Sequence, residues 1–250
     1  GVAKHFMIDV VNPDESYSAG RYAREAGEIV CEILNRGRLP IIVGGSGFYL
    51  KALLDGFPLI PEIPQSIREN LIRKAKYNLP SLFSHLQKID PDIARQIHPN
   101  DKQRVVRGIE VFEATGTRLS TFQKQPSQHT KRWRTHWFGL NMDRMYLYER
   151  IKVRINLMLK NGLVGEIKNL RKKGYDCNLN SINSLGYKEI YNLIDGKISI
   201  DEAVKEITCE TRRYAKRQLT WFRREPQITW INPMKVDITD EIMNCVKVNE

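Results

Sequence analysis

Acidic residues are the first shortage. The 250-residue chain carries 29 Asp plus Glu against 40 Lys plus Arg, a formal charge of +11 at pH 7. A protein this basic meets polyanions: nucleic acid, a membrane surface or phosphorylated ligands. Long apolar runs are missing as well. No stretch approaches the roughly 20 residues that cross a bilayer, and no secretory signal is visible. The expectation is therefore a cytoplasmic protein with no membrane partner. Cysteine is sparse: Cys31, Cys177, Cys209 and Cys245 are scattered, with no C-x-x-C, so a disulfide framework or zinc site fits poorly and reduced thiols fit well. The histidines (His5, His85, His98, His129, His136) show no ligand spacing and no nucleophile partner, and no G-x-S-x-G element exists. Metal-held water and serine-hydrolase chemistry lose their usual signatures. Internal repeats and low-complexity tracts are absent too.

What is present reads as an α/β chain interrupted once. FMIDVV, residues 6–11, is an apolar, β-branched run that predicts a buried strand. Ser18 offers an N-cap, and Tyr22, Ala26, Ile29, Val30, Ile33 and Leu34 follow at helical spacing until Gly37. LPIIV, residues 39–43, predicts a second strand running into Gly44-Gly45-Ser46-Gly47 and an apolar helix. Strand, helix, strand, Gly turn, helix is an α/β unit with a parallel sheet. From 57 to 129 prolines break short helical patterns and no strand is convincing, so an all-helical insertion is expected there. It divides a core made of residues 1–56 and 130–250. HWFGLNM (136–142) predicts a third strand, and the chain is mostly helix from there to about 225. A strand-like ITWI and a tail close it. The 41% hydrophobic content is enough for one sizeable core with a smaller appended domain. The chain opens Gly1-Val2-Ala3 with a strand expected almost at once, as in a protein missing its beginning.

The most unusual stretch is RRYAKRQLTWFRRE, residues 212–225, in which six of fourteen residues are Lys or Arg. Ser199 and Glu202 form a capping-box pattern, so a helix is expected from about Ile200, to be stopped by Pro226. At about 100° per residue, Arg212, Arg213, Lys216, Arg217, Thr220, Arg223 and Arg224 share an arc of about 140°. Tyr214, Ala215, Gln218, Leu219, Trp221 and Phe222 take the other side, where they can anchor the helix to the core. A solvated charged face normally interleaves Glu with Lys. No carboxylate separates these cations, which favours a polyanion partner over plain solvation.

Two further constellations stay open between function and structure. GGSG exposes backbone N–H groups at a helix start, where an anion can dock, but it lacks the Lys-Ser/Thr of a phosphate-cradling loop. Steric need in a tight turn explains the glycines equally well. Gln103, Arg104 and Arg107 meet at i, i+1 and i+4 on an expected helix begun near Asn100 or Asp101, able to reach a phosphate or base. Salt bridges to Glu110 or Glu113 are the alternative. Arg150 and Arg154 flank the stripe Ile151, Ile155, Met158 and Leu159, and are expected to be partly buried. Either a bound phosphoryl group or a structural carboxylate would satisfy them.

Taken in order, HFMIDVVNPDESYSAGRYAREA, GRLPIIVGGSGFYLKALLDG, IHPNDKQRVVRGIEVFEATG, DRMYLYERIKVRINLMLKNGLVGEI, SLGYKEI and TRRYAKRQLTWFRRE resemble the tRNA dimethylallyltransferase (isopentenyl-tRNA, or IPP, transferase) family over essentially the whole chain. The resemblance implies a P-loop NTPase-like α/β core with a parallel sheet and an all-helical insertion domain. It implies transfer of a dimethylallyl group from dimethylallyl diphosphate to N6 of adenosine-37 beside the tRNA anticodon, assisted by Mg2+. A monomer is expected. It maps tRNA contacts onto Ser46, onto Arg68 in IPQSIREN and onto Gln103, Arg104, Val105, Val106 and Arg107. Further contacts fall on Ser184, Leu185, Gly186, Tyr187 and Lys188 in SLGYK. The last fall on Lys216, Arg217, Gln218, Leu219, Thr220, Trp221, Phe222 and Arg223 in KRQLTWFR. Arg154 matches the arginine that grips the prenyl diphosphate. The family also opens with a strand, a nucleotide-type phosphate loop that fits ATP-like ligands, and a D-S-x-Q-V-Y segment whose Asp serves as general base. None of these stands in this chain, which is expected to be the family without those segments. A non-catalytic RNA-binding module and a small-molecule kinase are the competing readings. The kinase has no use for the basic, aromatic helix.

Overall fold

The computed structural model describes residues 3–56, 58, 60–125 and 133–247. They form two compact units, residues 54–132 and the remainder, Gly1–Leu53 with Trp133–Glu250. The expected boundaries at Phe57 and His129 fall outside the described residues.

The larger unit begins with α1 (Ala19–Asn35), capped as its sequence suggests: the Ser18 hydroxyl oxygen accepts the Arg21 N–H at 3.1 Å. The Gly turn leads into α2 (Gly47–Asp55). In the smaller unit the described residues are helical without a strand: α3 (Gln65–Tyr77), α4 (Leu79–Ile89), α5 (Pro91–Gln96), α6 (Lys102–Thr115) and α7 (Leu119–Lys124). Leu71, Leu86, Ile93, Val105, Ile109 and Val111 form its core. Asp90 is fully buried there and fully used. One oxygen caps α5 by accepting the Ile93 N–H, and the other accepts the Ser120 N–H at 2.9 Å. A buried carboxylate without such partners would cost several kcal/mol, on the order of the penalty for an unpaired charge.

The larger unit resumes with β1 (Trp137–Leu140), α8 (Arg144–Lys160), α9 (Leu163–Lys172), α10 (Tyr187–Ile194), α11 (Ile200–Phe222), β2 (Ile228–Ile231) and α12 (Ile238–Lys247). Ile151, Ile155, Leu163, Ile167, Ile190 and Ile207 close a core in which α11 packs on α8 and α10. Each such aliphatic side chain contributes about 1.5–3 kcal/mol by burial.

The sheet corrects the sequence reading. β1 and β2 pair in parallel, Trp137 against Ile228 through Leu140 against Ile231, and form the whole described sheet. Residues 6–11 and 39–43, expected as strands, are not strands. Met7 and Asp9 take positive φ values of 61° and 52°, which break an extended run. Ile41 and Val43 are 80% and 90% exposed. An apolar, β-branched run becomes a strand when a neighbour supplies its ladder bonds, and neither segment has one among the described residues. The fold is thus α/β, mostly helical, with a small parallel sheet.

Candidate nucleic-acid interface

The basic helix forms as its sequence dictates. In α11 the Ser199 hydroxyl and Glu202 make the reciprocal cap, and the helix ends at Phe222, ahead of Pro226. Among the six cations of 212–224 only Arg213 meets a carboxylate of the described residues, Glu210, at 2.5 Å. Lys216, Arg217, Arg223 and Arg224 are exposed. The protein thus presents an uncompensated cationic face, the arrangement that phosphate backbones neutralise. The aromatic side is less uniform than expected. Trp221 and Phe222 are half-buried and meet edge-to-face, with centroids 4.8 Å apart. Tyr214 is 44% exposed instead of buried, beneath the Arg217 guanidinium at 5.9 Å.

The Gly turn lies against this helix. The Gln218 side-chain amide donates to the Gly45 carbonyl at 3.0 Å. A Cβ on Gly45 would stand 1.9 Å from Gln218, and one on Gly47 would stand 2.2 Å from the Trp221 ring. These glycines are therefore explained by close approach of α11, and Ser46 is held exposed between them. Lys51 reaches Glu225 at 3.4 Å and ties the same two segments.

In SLGYK the structural and surface roles separate. Ser184, Leu185 and Lys188 are exposed. Gly186 is buried at φ 93°, and its N–H donates to Glu189, itself buried, at 2.8 Å. The Tyr187 hydroxyl donates to Glu166; burial first, and then this bond, push its pKa up to about 12.

The smaller unit gathers another group around one carboxylate. Glu110 is buried, and its Oε1 accepts from Arg107 at 2.7 Å. Its Oε2 makes no hydrogen bond and faces Arg68 Nε at 3.9 Å. Of the two readings left open for Arg107, the ion pair is therefore realised. Arg104 pairs with Asp101 at 3.3 Å, and Gln103 is exposed. Val105 and Val106 are core residues with almost no surface, so their side chains offer nothing to RNA. They anchor the turn that carries Gln103, Arg104 and Arg107.

Arg150 and Arg154 depart from expectation. Both are exposed, and neither has an ion-pair partner among the described residues. The stripe beside them is filled by Leu147, Ile151, Ile155 and Met158, which leaves the arginines on the outer flank of α8. No three His, Cys, Asp or Glu side chains converge among the described residues, so a Mg2+ here would take most of its ligands from substrate phosphates and water.

A groove between α8 and α11 was not legible beforehand. It encloses about 630 Å³ and is lined by Arg144, Lys152, Lys205, Arg212, Arg213 and Lys216. Its floor is Tyr148, whose ring lies under the guanidinium of Arg212 at 4.4 Å and of Arg144 at 5.1 Å. The signal existed in the i, i+4, i+8 spacing of Arg144, Tyr148 and Lys152, but nothing local said that α11 would face it.

An α/β scaffold with a helical unit, a cationic helix and a Gly turn locked against it is an arrangement suited to polyanions. The sequence pattern of the IPP transferase family matches residues 2–225. A tRNA dimethylallyltransferase of Natranaerobius thermophilus is 40% identical over 248 residues, covering 97% of this chain and 74% of the relative. One from Syntrophotalea carbinolica is 42% identical over 229 residues, covering 91% and 73%. Among solved structures, the tRNA isopentenylpyrophosphate transferase of Bacillus halodurans aligns at TM-score 0.65 and 36% identity, over 96% of this chain and 75% of that one. A eukaryotic dimethylallyltransferase acting on tRNA aligns at TM-score 0.74 and 27% identity, over 89% and 58%. The chain belongs to the IPP transferase family.

Proposed function

We propose that the protein modifies tRNA by transferring a dimethylallyl group from dimethylallyl diphosphate to N6 of the adenosine beside the anticodon. The observation that carries this reading is the face of α11, where five of the six cations between 212 and 224 meet no carboxylate. Nothing inside the described protein neutralises them, and RNA phosphates would.

The chemistry follows from the substrates. N6 of a stacked adenine is a poor nucleophile and must be extruded, at a cost of a few kcal/mol of unstacking. Loop RNA makes this affordable, because splayed bases there rest on aromatic and arginine side chains. The N6 nitrogen forms a bond to the prenyl C1 as the C1–O bond breaks. Diphosphate takes the electron pair, and N6 loses a proton. Negative charge grows on the leaving group, so cations placed there lower the barrier. Arg154, exposed and unpaired, is free to grip that diphosphate. A divalent metal, Mg2+ by family resemblance, would supply further charge stabilisation when bound with the donor's phosphates. The exposed members of the three contact segments would hold the RNA: Ser184, Leu185 and Lys188 from SLGYK, Gln103 with its neighbouring arginines, and the α11 face. Phosphate contacts of this kind supply affinity and register, while base contacts in the loop supply sequence choice.

The test uses the protein at its full natural length with labelled dimethylallyl diphosphate and unmodified tRNA. Label recovered on adenosine is the expected result. Absence of transfer with every divalent metal tried refutes the proposal.

A further inference from the structure

The groove between α8 and α11 lies apart from every residue the family resemblance assigns to RNA or diphosphate, except Lys216 at one end. Its six cations are not equivalent. Lys152 pairs with Glu149 at 3.0 Å, and Arg213 with Glu210 at 2.5 Å. Arg144, Lys205, Arg212 and Lys216 have no carboxylate partner among the described residues. Arg212 stands out. It is half-buried on the Tyr148 ring, and its Nε is buried with no hydrogen-bond acceptor. A buried donor left unpaired costs about 1–3 kcal/mol, and more when charged. An oxyanion bound in the groove would supply the missing acceptor. Tyr148 holds the Arg212 and Arg144 guanidinium groups by cation–π contact, and its hydroxyl accepts from Arg144 Nε at 2.8 Å. Two arginines fixed this way are pre-oriented for oxyanions.

We propose that this groove is a phosphate-binding subsite for the tRNA backbone, continuous with the cationic face of α11. The proposal rests on the reading of tRNA as substrate. Two features favour an RNA strand over a small anion. Lys205 and Lys216 stand about 16 Å apart along the axis at about 1.5 Å per residue, longer than one diphosphate spans. Lys216 also belongs to both the groove and the exposed face that runs on to Arg223, so one strand can follow both. Arg154 projects elsewhere. Two residues beyond Lys152 on α8, it points about 160° away around the helix and does not line the groove. The diphosphate grip and the groove are therefore separate sites.

The experiment measures tRNA binding by the full-length protein across a salt series, for wild type and for the double variant Arg144→Ala, Lys205→Ala. Both positions are exposed, so folding is not at stake. The expected result is about tenfold weaker binding at low salt, with the slope of log K against log salt shallower by about 2, one for each lost phosphate contact. Inorganic pyrophosphate and dimethylallyl diphosphate are titrated in parallel. Unchanged tRNA affinity and slope in the variant overturns the groove while leaving the function intact. Loss of diphosphate binding with tRNA binding preserved also overturns it, in favour of a small-anion site. A wild-type protein that does not bind tRNA removes both this proposal and the one above. Arg212→Lys supplies a second variant: it keeps the charge but cannot present two nitrogens, and weaker binding with an unchanged slope is expected.

Discussion

Glu110 shows how much one side chain decides. It is a carboxylate buried in the helical unit, and Arg107 and Arg68 close over it. Both arginines fall in segments that resemble RNA contacts, and here they serve the core. Arg107→Ala is expected to cost about 2–3 kcal/mol in urea unfolding, because it strands a buried charge. Adding Glu110→Gln should recover part of that loss; a double variant no more stable than the single one would show that the pair carries no such coupling. Tyr17 and Tyr187 give a second residue-scale expectation. Burial first, and then a bond to Glu25 or Glu166, raise each phenol to about 12. The folded state thus holds the proton more tightly than the unfolded chain, whose tyrosines ionise near 10. Their stabilisation is complete below about pH 10 and is lost as pH rises toward about 12. Burial raises Tyr22 and Tyr191 as well, so ultraviolet titration of the native protein should show a late-ionising group of phenols, and Tyr17→Phe should remove one of them from the latest step. The sequence displayed Arg107 and Glu110 at i, i+3, but whether that pair or a phosphate claimed Arg107 depended on burial.

At the scale of elements, α11 was the most legible part of the chain. Its cap, its stop and its cationic arc all follow from spacing along the sequence. The docking of the Gly turn against it did not follow, because Gly45 meets Gln218 and Gly47 meets Trp221 across about 170 residues of chain. Local reasoning could not separate an anion-binding turn from a steric one. Gly47→Ala is the direct probe. The added methyl has 2.2 Å to the Trp221 ring, so the ring or the turn must shift. A loss of about 1–3 kcal/mol is expected, with a changed Trp fluorescence spectrum. Gly44→Ala, which meets nothing within 4 Å, should leave both unchanged. Equal behaviour of the two variants would remove the close-approach explanation.

For the whole molecule, the division into two units makes a prediction about autonomy. Residues 54–132 have their own core of Leu71, Leu86, Val105, Ile109 and Val111, and a satisfied buried Asp90. Expressed alone, this piece should give a helical circular dichroism spectrum and a cooperative urea transition; a spectrum of unfolded chain would show that its core needs the rest. Charge, helix periodicity, the proline-broken insertion and the caps at Ser18, Asp101 and Ser199 were determined by sequence alone, since each depends on residues within a turn or two of one another. So was the positive net charge that favours a polyanion partner, because it needs no fold to be counted. Tertiary structure decided the rest. Residues 6–11 and 39–43 have strand composition yet no strand, since a ladder needs a neighbour. Val105 and Val106 lie in a segment that resembles an RNA contact yet face the core. Arg144, Tyr148 and Arg212 become one groove only when α8 packs on α11. These are outcomes of which surfaces meet, and they depend on contacts between segments far apart in the chain.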